Sequence, residues 1–209
     1  MTNPVIDNIR RSLGRTVHSP IEPPPAIYAS RQAESLESEA RQFLDEVKKL
    51  SAVGRQLSPK EIDLALKSLV TEQNISKATV WETPHLRQLG VAEILNTLGV
   101  ELVSPNADKH EMADCDLGIT EADFLLPETG TLVLKSSHEK PRAVSLLPRI
   151  HIAIVRPEML RADMHQVFAG AKEDHYLVFI TGPSRTADIE LTVTLGVHGP
   201  KDLYVFMVI

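Results

Sequence analysis

The chain has 209 residues, of which 43% are hydrophobic and 24% are charged, an ordinary composition for one globular domain with peripheral elements. A formal net charge of −6, without any block of lysine and arginine, argues against a protein that binds the phosphate backbone of nucleic acids. Because Cys115 is the single cysteine, the chain can neither form an internal disulfide nor ligate an iron–sulfur cluster, which needs several thiolates.

The N-terminal part of the chain is predicted to be a helical extension that covers residues 1–74. Apolar residues at helical spacing predict a short helix over residues 4–13 and a second helix over residues 31–50. Ser58 followed by Glu61 three residues later predicts a capping box at the start of a third helix. We therefore expect this whole segment to be helical and peripheral to the main domain.

From residue 75 the pattern changes, and residues 75–209 are predicted to form an α/β domain. Short runs rich in β-branched residues predict strands. These runs are ATVWE, VELV, DLGIT, TLVLKSS, RIHIAIVR, HYLVFITG and DLYVFMVI. Helical patterns separate several of them, at residues 84–99, 158–169 and 186–195. Strands that alternate with helices predict a largely parallel sheet with helices on both faces.

The location of the protein is predicted from what the sequence lacks. The first residues, MTNPVIDNIRRSL, do not contain the apolar core of a signal peptide. No stretch approaches the ~18 consecutive apolar residues of a membrane-spanning helix. We therefore expect a cytoplasmic protein without a membrane span.

The first segment that could carry chemistry is the turn PETG at residues 127–130, which leads into the run TLVLKS. Gly130 would permit a positive φ angle or a close approach of the backbone to another group. Glu128 and Thr129, directly before this glycine, are placed like side chains that meet a ligand. The alternative is a simple hairpin turn with an exposed acid, and the turn residues alone are compatible with both.

The second segment, TGPSRTADIE, directly follows the run HYLVFI. Gly182 ends that strand, and Ser184 or Thr186 can cap the helix predicted after it. We expect the amide groups of this helix terminus, the two hydroxyls and the Arg185 guanidinium to bind an anion. The alternative is a capped helix in which Arg185 pairs with Asp188.

The third segment is the turn GVHGP at residues 196–200, between the predicted helix and the last strand. The turn at Gly199 holds His198 where a ligand would lie, and histidine is suited to proton transfer near neutral pH. The alternative is a structural or solvated histidine. Arg142 and Ser145, before the run RIHIAIVR, could face the same crevice, although an ordinary loop also explains them.

These segments are expected to meet at one edge of the sheet. In open α/β sheets ligands bind outside the carboxyl ends of the strands. We therefore predict one crevice lined by Glu128, His198 and the segment around Ser184. His151 has no metal-ligand spacing with Cys115 or with nearby acids, so no metal site is predicted.

Taken together, three blocks of the sequence resemble the LUD (lactate utilisation) domain family, and within it the lactate utilisation protein C group. The blocks are GITEADFLLPETGTLVL (118–134), RAVSLLPRIHIAIV (142–155) and ITGPSRTADIELTVTLGVHGP (180–200), followed by the hydrophobic closing strand. Pro127 stands where family members usually have alanine, and it predicts a stiffer turn. The resemblance implies a NagB/RpiA/CoA-transferase-like fold, which is a three-layer α/β/α sandwich.

The resemblance also implies a role in an iron–sulfur system that oxidises L-lactate to pyruvate. The resemblance implies two iron–sulfur partner proteins in this system. Because this chain has one cysteine, the clusters are expected on those partners, and no cofactor is expected in this chain. The chain would then be an accessory protein or subunit whose crevice binds a small organic acid or a phosphate-like anion.

The residues assigned to this crevice follow from the three segments. Glu128 and His198 are the predicted catalytic residues. The predicted ligand-binding residues are Thr129, Gly130, Gly182, Ser184, Arg185, Thr186, Asp188 and Gly199. Two other hypotheses stay open: a free-standing CoA- or acyl-transfer enzyme with Glu128 as nucleophile, by analogy with the fold, and a regulatory or scaffold protein without catalysis.

Overall fold

The computed structural model describes residues 4–15, 31–171, 176–186 and 194–209. Six strands form the central sheet: β1 (Val53–Leu57), β2 (Lys77–Val80), β3 (Glu101–Val103), β4 (Leu117–Glu121), β7 (Ile150–Val155) and β11 (Asp202–Val208). Their order is β1-β11-β7-β4-β2-β3, and every neighbouring pair is parallel. The predicted parallel sheet is therefore confirmed.

Eight helices are described: α1 (Pro4–Ser12), α2 (Leu36–Lys49), α3 (Ile62–Gln73), α4 (Pro84–Gln88), α5 (Val91–Thr97), α6 (Lys109–Ala113), α7 (Ala143–Leu146) and α8 (Met164–Gly170). The capping box that Ser58 and Glu61 predict is present, and a short 3-10 turn, Pro59–Glu61, precedes α3. Within the described ranges no helix is long and apolar enough to cross a bilayer.

The helices cover both faces of the central sheet, as the register shows. Gly54 of β1 and Gly118 of β4 lie on one face, because their missing side chains would point at α2 and α7 respectively. Tyr204 of β11 points to the opposite face, where its hydroxyl meets Gln73 at the end of α3. The expected three-layer α/β/α arrangement is confirmed.

The expectation that residues 1–74 are entirely helical is wrong at Val53–Leu57, which forms edge strand β1. Only Gly54 and Leu57 of this strand are buried, so its sequence, VGRQL, lacks the apolar run of a buried strand. The backbone of β11 supplies the pairing that the local pattern does not show. Helices α2 and α3 are not peripheral either, because Phe43 and Leu66 are buried in the same core as the sheet.

A second, three-stranded sheet was not predicted. Strand β5 (Phe124–Leu126), strand β6 (Thr131–Lys135) and strand β8 (Leu177–Ile180) pair antiparallel in the order β5-β6-β8. The runs TLVLKSS and HYLVFITG are therefore strands, as predicted, but they lie outside the parallel sheet. The register pairs Leu126 with Thr131, so PETG is the turn of a hairpin.

The helix predicted over residues 186–195 is wrong at both of its described ends. Strand β9 (Arg185–Thr186) pairs antiparallel with strand β10 (Thr194–Leu195). The chain therefore continues from Ser184 into a strand at Arg185–Thr186, where the prediction placed the start of a helix; the residues that would carry the helical amide groups after Thr186 lie outside the described ranges. Asp188 lies outside the described residues.

Candidate functional site

The structure brings four of the predicted residues into one cleft of about 260 Å³, the His151 cleft. Gly182 and Ser184 come from the segment after β8, whereas His198 and Gly199 come from the turn before β11. The other described lining residues are Ser145, Leu146, His151, Phe179, Ile180, Thr181, Pro183, Pro200 and Leu203. The second and third predicted segments therefore meet as predicted, and Ser145 joins them, whereas the segment of Glu128 is not part of this lining.

The His151 cleft lies at the amino ends of the parallel strands, whereas the prediction placed the site at their carboxyl ends. Pro200 leads into the amino end of β11, and the Lys201 amide donates to the carbonyl of Arg149, directly before β7. Leu203 and His151, which line the cleft, are paired in register near the starts of these two strands. The rule that places ligands at carboxyl ends does not apply here, because β8 and its turn belong to the second sheet.

His151 is the most unusual group in this cleft. The side chain is 1% exposed, and its Nε2 atom lies 2.8 Å from Oγ1 of Thr120, which is also buried. No described protein atom forms a hydrogen bond with Nδ1. Burial lowers the pKa of His151 to about 3, so the imidazole is neutral at physiological pH.

The lowered pKa of His151 predicts that the folded protein is sensitive to acid. The pKa of a histidine in the unfolded chain is near 6.5. Below that pH His151 is therefore protonated in the unfolded chain but stays neutral in the folded protein. This loss of stability grows as the pH falls from 6.5 towards 3 and amounts to roughly 2 kcal/mol at pH 5. Denaturant unfolding at pH 7.5 and pH 5 measures it.

The matched variant for this measurement replaces both hydrogen-bonded partners, as Thr120→Val with His151→Phe. Protonation of carboxylates also destabilises the protein in acid; the hydrogen bond with Arg31, for example, lowers the pKa of Glu39. These carboxylates are present in both the wild type and the double variant. The double variant should lose about 2 kcal/mol less than the wild type between the two pH values. An equal loss in both proteins would show that His151 does not stay neutral in the fold.

The polar side chains of the His151 cleft differ in how deeply they are buried. His198 is exposed and Ser184 is half-buried, whereas Ser145 and His151 are each 1% exposed. The Ser145 hydroxyl donates to the carbonyl of Arg142, which leaves its oxygen able to accept a hydrogen bond. None of the described lining residues carries a fixed charge, so the polar groups are imidazoles and hydroxyls.

Glu128 lines a different cleft, the Glu128 cleft, of about 500 Å³. Its side chain is 59% exposed on the hairpin turn between β5 and β6, as the alternative interpretation of PETG predicts. Gly130 has a φ angle of +60°, and a Cβ there would lie 2.8 Å from the amide nitrogen of Val47 in α2. This turn therefore needs glycine both for its conformation and for its contact with α2.

The Glu128 cleft and the His151 cleft adjoin each other at Phe179 and Thr181, which line both. A chain of hydroxyl groups links them, because Oγ1 of Thr131 is 2.7 Å from that of Thr129 and 2.8 Å from that of Thr181. The structure thus places Glu128 next to the cleft of His198 rather than inside it. A shared catalytic role for these two residues stays a prediction.

Arg31 is a site residue that the sequence did not reveal. Its guanidinium forms two hydrogen bonds of 2.8 Å with the carboxylate of Glu39, which is 3% exposed. The Nε atom of Arg31 also lies 3.2 Å from Oε1 of Glu128. Glu128 is therefore held by a cation that precedes α2, almost a hundred residues away in the sequence.

Arg185 is not among the described residues that line the His151 cleft. Its guanidinium instead donates to the carbonyl of Leu50, the C-cap residue of α2, where a cation is favourable because of the helix dipole. Gly182 has a φ angle of +79°, and a Cβ there would lie 3.0 Å from Cβ of Leu50. The C-terminal end of α2 thus supports both predicted turns, at Gly130 and at Gly182.

A separate charged cleft of about 300 Å³ lies at the carboxyl ends of β4 and β7, the edge where the prediction placed the site. Its charges are largely paired. Lys140 binds Asp123 at 2.7 Å, and Arg156 lies 3.8 Å from Glu121. None of the predicted site residues is among its described lining residues. Across the described ranges no group of three or more metal-binding side chains is close enough to hold a metal ion.

Of two residues that sequence reasoning missed, His151 left a signal in the sequence and Arg31 did not. His151 interrupts the run IHIAIV, whose other residues are buried and apolar on both faces of the sheet, and a polar residue in such a strand is a recognisable exception. Arg31 left no signal, because it meets Glu39 and Glu128 only when α2 packs against the hairpin.

Comparison with known proteins identifies relatives of this chain. A sequence profile of the LUD domain matches residues 30–208. Lactate utilization protein C from Halalkalibacterium halodurans is 35% identical over 159 residues, which are 70% of this chain and 68% of that protein. Lactate utilization protein C from Shouchella clausii is 30% identical over 210 residues, which are 93% of this chain and 92% of that protein.

Among solved structures, a DUF162 family protein from Deinococcus radiodurans has a TM-score of 0.64 and 22% sequence identity. The match covers 84% of this chain and 99% of that one. At this identity the match supports the fold alone. The resemblance predicted from the three sequence blocks is confirmed by the profile match.

Proposed function

The chain belongs to the LUD domain family, and on that premise we propose that it takes part in lactate utilisation by binding a small organic acid in the His151 cleft. The relatives at 35% and 30% identity are named for lactate utilisation. The observation that carries the proposal is the convergence of Gly182, Ser184, His198 and Gly199 on one cleft.

The size and chemistry of the cleft support a small ligand. Its volume of about 260 Å³ lies just below the range typical of drug-sized ligands and accommodates a three-carbon acid. The hydroxyls and imidazoles can hydrogen-bond a carboxylate and a hydroxyl group. In this arrangement Ser184 contacts the ligand, and the exposed imidazole of His198 can hydrogen-bond the carboxylate.

The oxidation of L-lactate to pyruvate releases two electrons and two protons, so an electron acceptor is required. We propose that iron–sulfur clusters on partner proteins take the electrons, because the single thiol of Cys115 cannot hold a cluster. The chain then acts as a cluster-free subunit or accessory protein. Co-purification with co-expressed iron–sulfur proteins of the same organism tests this assembly, and a chain that elutes alone speaks against it.

L-lactate is expected to bind the wild-type protein in calorimetry, and Ser184→Ala is expected to weaken binding by roughly two- to tenfold, the worth of one hydrogen bond. The matched control is Ser68→Ala, at an exposed position of α3 outside the described lining of the cleft, which should leave the affinity unchanged. Failure of the wild type to bind lactate would contradict the proposal, and so would equal weakening by both substitutions.

The same calorimetric assay tests the prediction that Arg185 binds the anion. Because its guanidinium is bonded to Leu50, Arg185→Gln is expected to leave lactate affinity within about twofold if neutral groups bind the acid. Loss of binding in this variant would instead assign the carboxylate to Arg185, as the sequence predicted.

A further inference from the structure

The unpartnered Nδ1 atom of His151 is the feature of the cleft that the proposed function leaves unexplained. A buried donor or acceptor without a partner is unfavourable, and an apolar side chain of similar size would avoid the problem. Thr120 occupies only the Nε2 side of the ring. A ligand group that reaches Nδ1 would complete the hydrogen bonding of a side chain that already lines the cleft.

We propose that Nδ1 of His151 hydrogen-bonds the 2-hydroxyl group of a small hydroxy acid and thereby selects hydroxy acids over simple carboxylic acids of the same size. The inference rests on the proposed function, because it assigns a specificity-determining residue to the same cleft. Ser184 and His198 alone could hold a carboxylate of any short acid, whereas His151 recognises the group that distinguishes lactate from propionate.

The chemistry of a neutral imidazole favours a hydroxyl partner. Whether Nδ1 carries the proton depends on which way the hydrogen bond between Nε2 and Thr120 runs. A hydroxyl group both donates and accepts, so it satisfies Nδ1 in either tautomer. A keto oxygen only accepts, so it fits one tautomer alone.

The burial of the lining residues also favours a ligand whose hydroxyl group points towards His151. His151 and Ser145 are the buried polar side chains of the lining, whereas His198 is exposed. A carboxylate that was fully buried against lining residues without fixed charge would lose its hydration at a large cost. The carboxylate therefore stays towards His198 and solvent, and the hydroxyl group points inwards to His151.

The test compares the affinities of L-lactate and propionate. The wild type is expected to bind L-lactate about 10- to 100-fold more tightly, because propionate leaves Nδ1 unpaired. In the Thr120→Val/His151→Phe variant both polar partners are removed, so the fold should be retained. Its affinities for the two acids should lie within about threefold of each other.

The control is His85→Phe, which removes another imidazole with an unpartnered buried nitrogen, Nε2, that lies outside the described lining of the cleft. This variant should keep the wild-type preference for L-lactate. A readout on the wild type alone is the ¹⁵N chemical shift of Nδ1 of His151, which should move on addition of L-lactate and stay in place with propionate.

The possible failures are distinguishable. A wild-type protein that binds neither acid overturns the proposed function and this inference with it. Equal binding of both acids by the wild type, or an unchanged preference in the double variant, overturns the role of His151 alone and leaves the proposed function standing.

Discussion

Replacement of Gly118 by alanine is expected to destabilise the protein by at least about 3 kcal/mol, because the new methyl group has no space. A Cβ at Gly118 would lie 1.9 Å from the carbonyl oxygen of Val144 in α7 and 3.0 Å from Cγ of Pro148. The carbonyl belongs to backbone, so α7 itself must move. A loss of this size corresponds to a melting temperature roughly 6–12 °C lower for a chain of this length.

Gly54→Ala is the matched control, since Gly54 lies on the same face of the same sheet. Its nearest neighbours would be Cδ2 and the carbonyl oxygen of Leu44 at 3.2 Å, a tight contact that small shifts relieve. We expect a loss below about 1 kcal/mol. Thermal unfolding followed by circular dichroism compares the two variants, and similar losses in both would contradict the packing described for α7.

The Gly118 substitution also connects packing to function. Gly118 is paired in register with His151, and α7 carries Ser145, so both walls of the buried part of the cleft depend on this contact. A displaced α7 should therefore weaken lactate binding in any Gly118→Ala protein that still folds.

Arg31→Met is expected to destabilise the protein by about 3 kcal/mol, because it leaves the buried carboxylate of Glu39 without its cation. Both hydrogen bonds between the two side chains are 2.8 Å long, and the Glu39 side chain is buried. Arg31→Met also releases Glu128 from its ion pair. The free energy of unfolding in denaturant at neutral pH is the measurement.

Two further variants isolate the cause. Arg41→Met removes an exposed ion pair with Glu37 on the same helix, with side chains 71% and 85% exposed, and should cost no more than about 0.5 kcal/mol. Arg31→Met combined with Glu39→Met should recover most of the loss, because no unpaired charge stays buried. A double variant as unstable as Arg31→Met would show that packing, and not the unpaired charge, explains the effect.

Much of the fold follows from local patterns that the sequence displays. The strands of the parallel sheet are short apolar runs, and β11 reads as an interior strand because LYVFMVI is apolar without alternation. The capping box at Ser58 is equally local, since its partners lie three residues apart. Such features need no knowledge of the rest of the chain.

The candidate site was predictable in part. The turns at PETG, TGPS and GVHGP were identified from glycine and proline, and Ser184 and His198 do line one cleft. The prediction that the site lies at the carboxyl ends of the parallel strands was wrong. The segment HYLVFI has the pattern of a strand, but this pattern does not show which sheet the strand joins. The helix expected over residues 186–195 was wrong at its described ends, where the pairing of β9 with β10 overrides a weak helical propensity.

The sequence by itself determined the family, the parallel α/β sheet and the two turns that meet in the His151 cleft, because each depends on residue types at short, fixed spacing. Only the tertiary structure decided that Glu128 pairs with Arg31, that Arg185 caps α2 and that His151 lies buried beside Thr120. These contacts join residues far apart in the chain. Strand pairing and helix packing, which are long-range and largely independent of local propensity, select the partners.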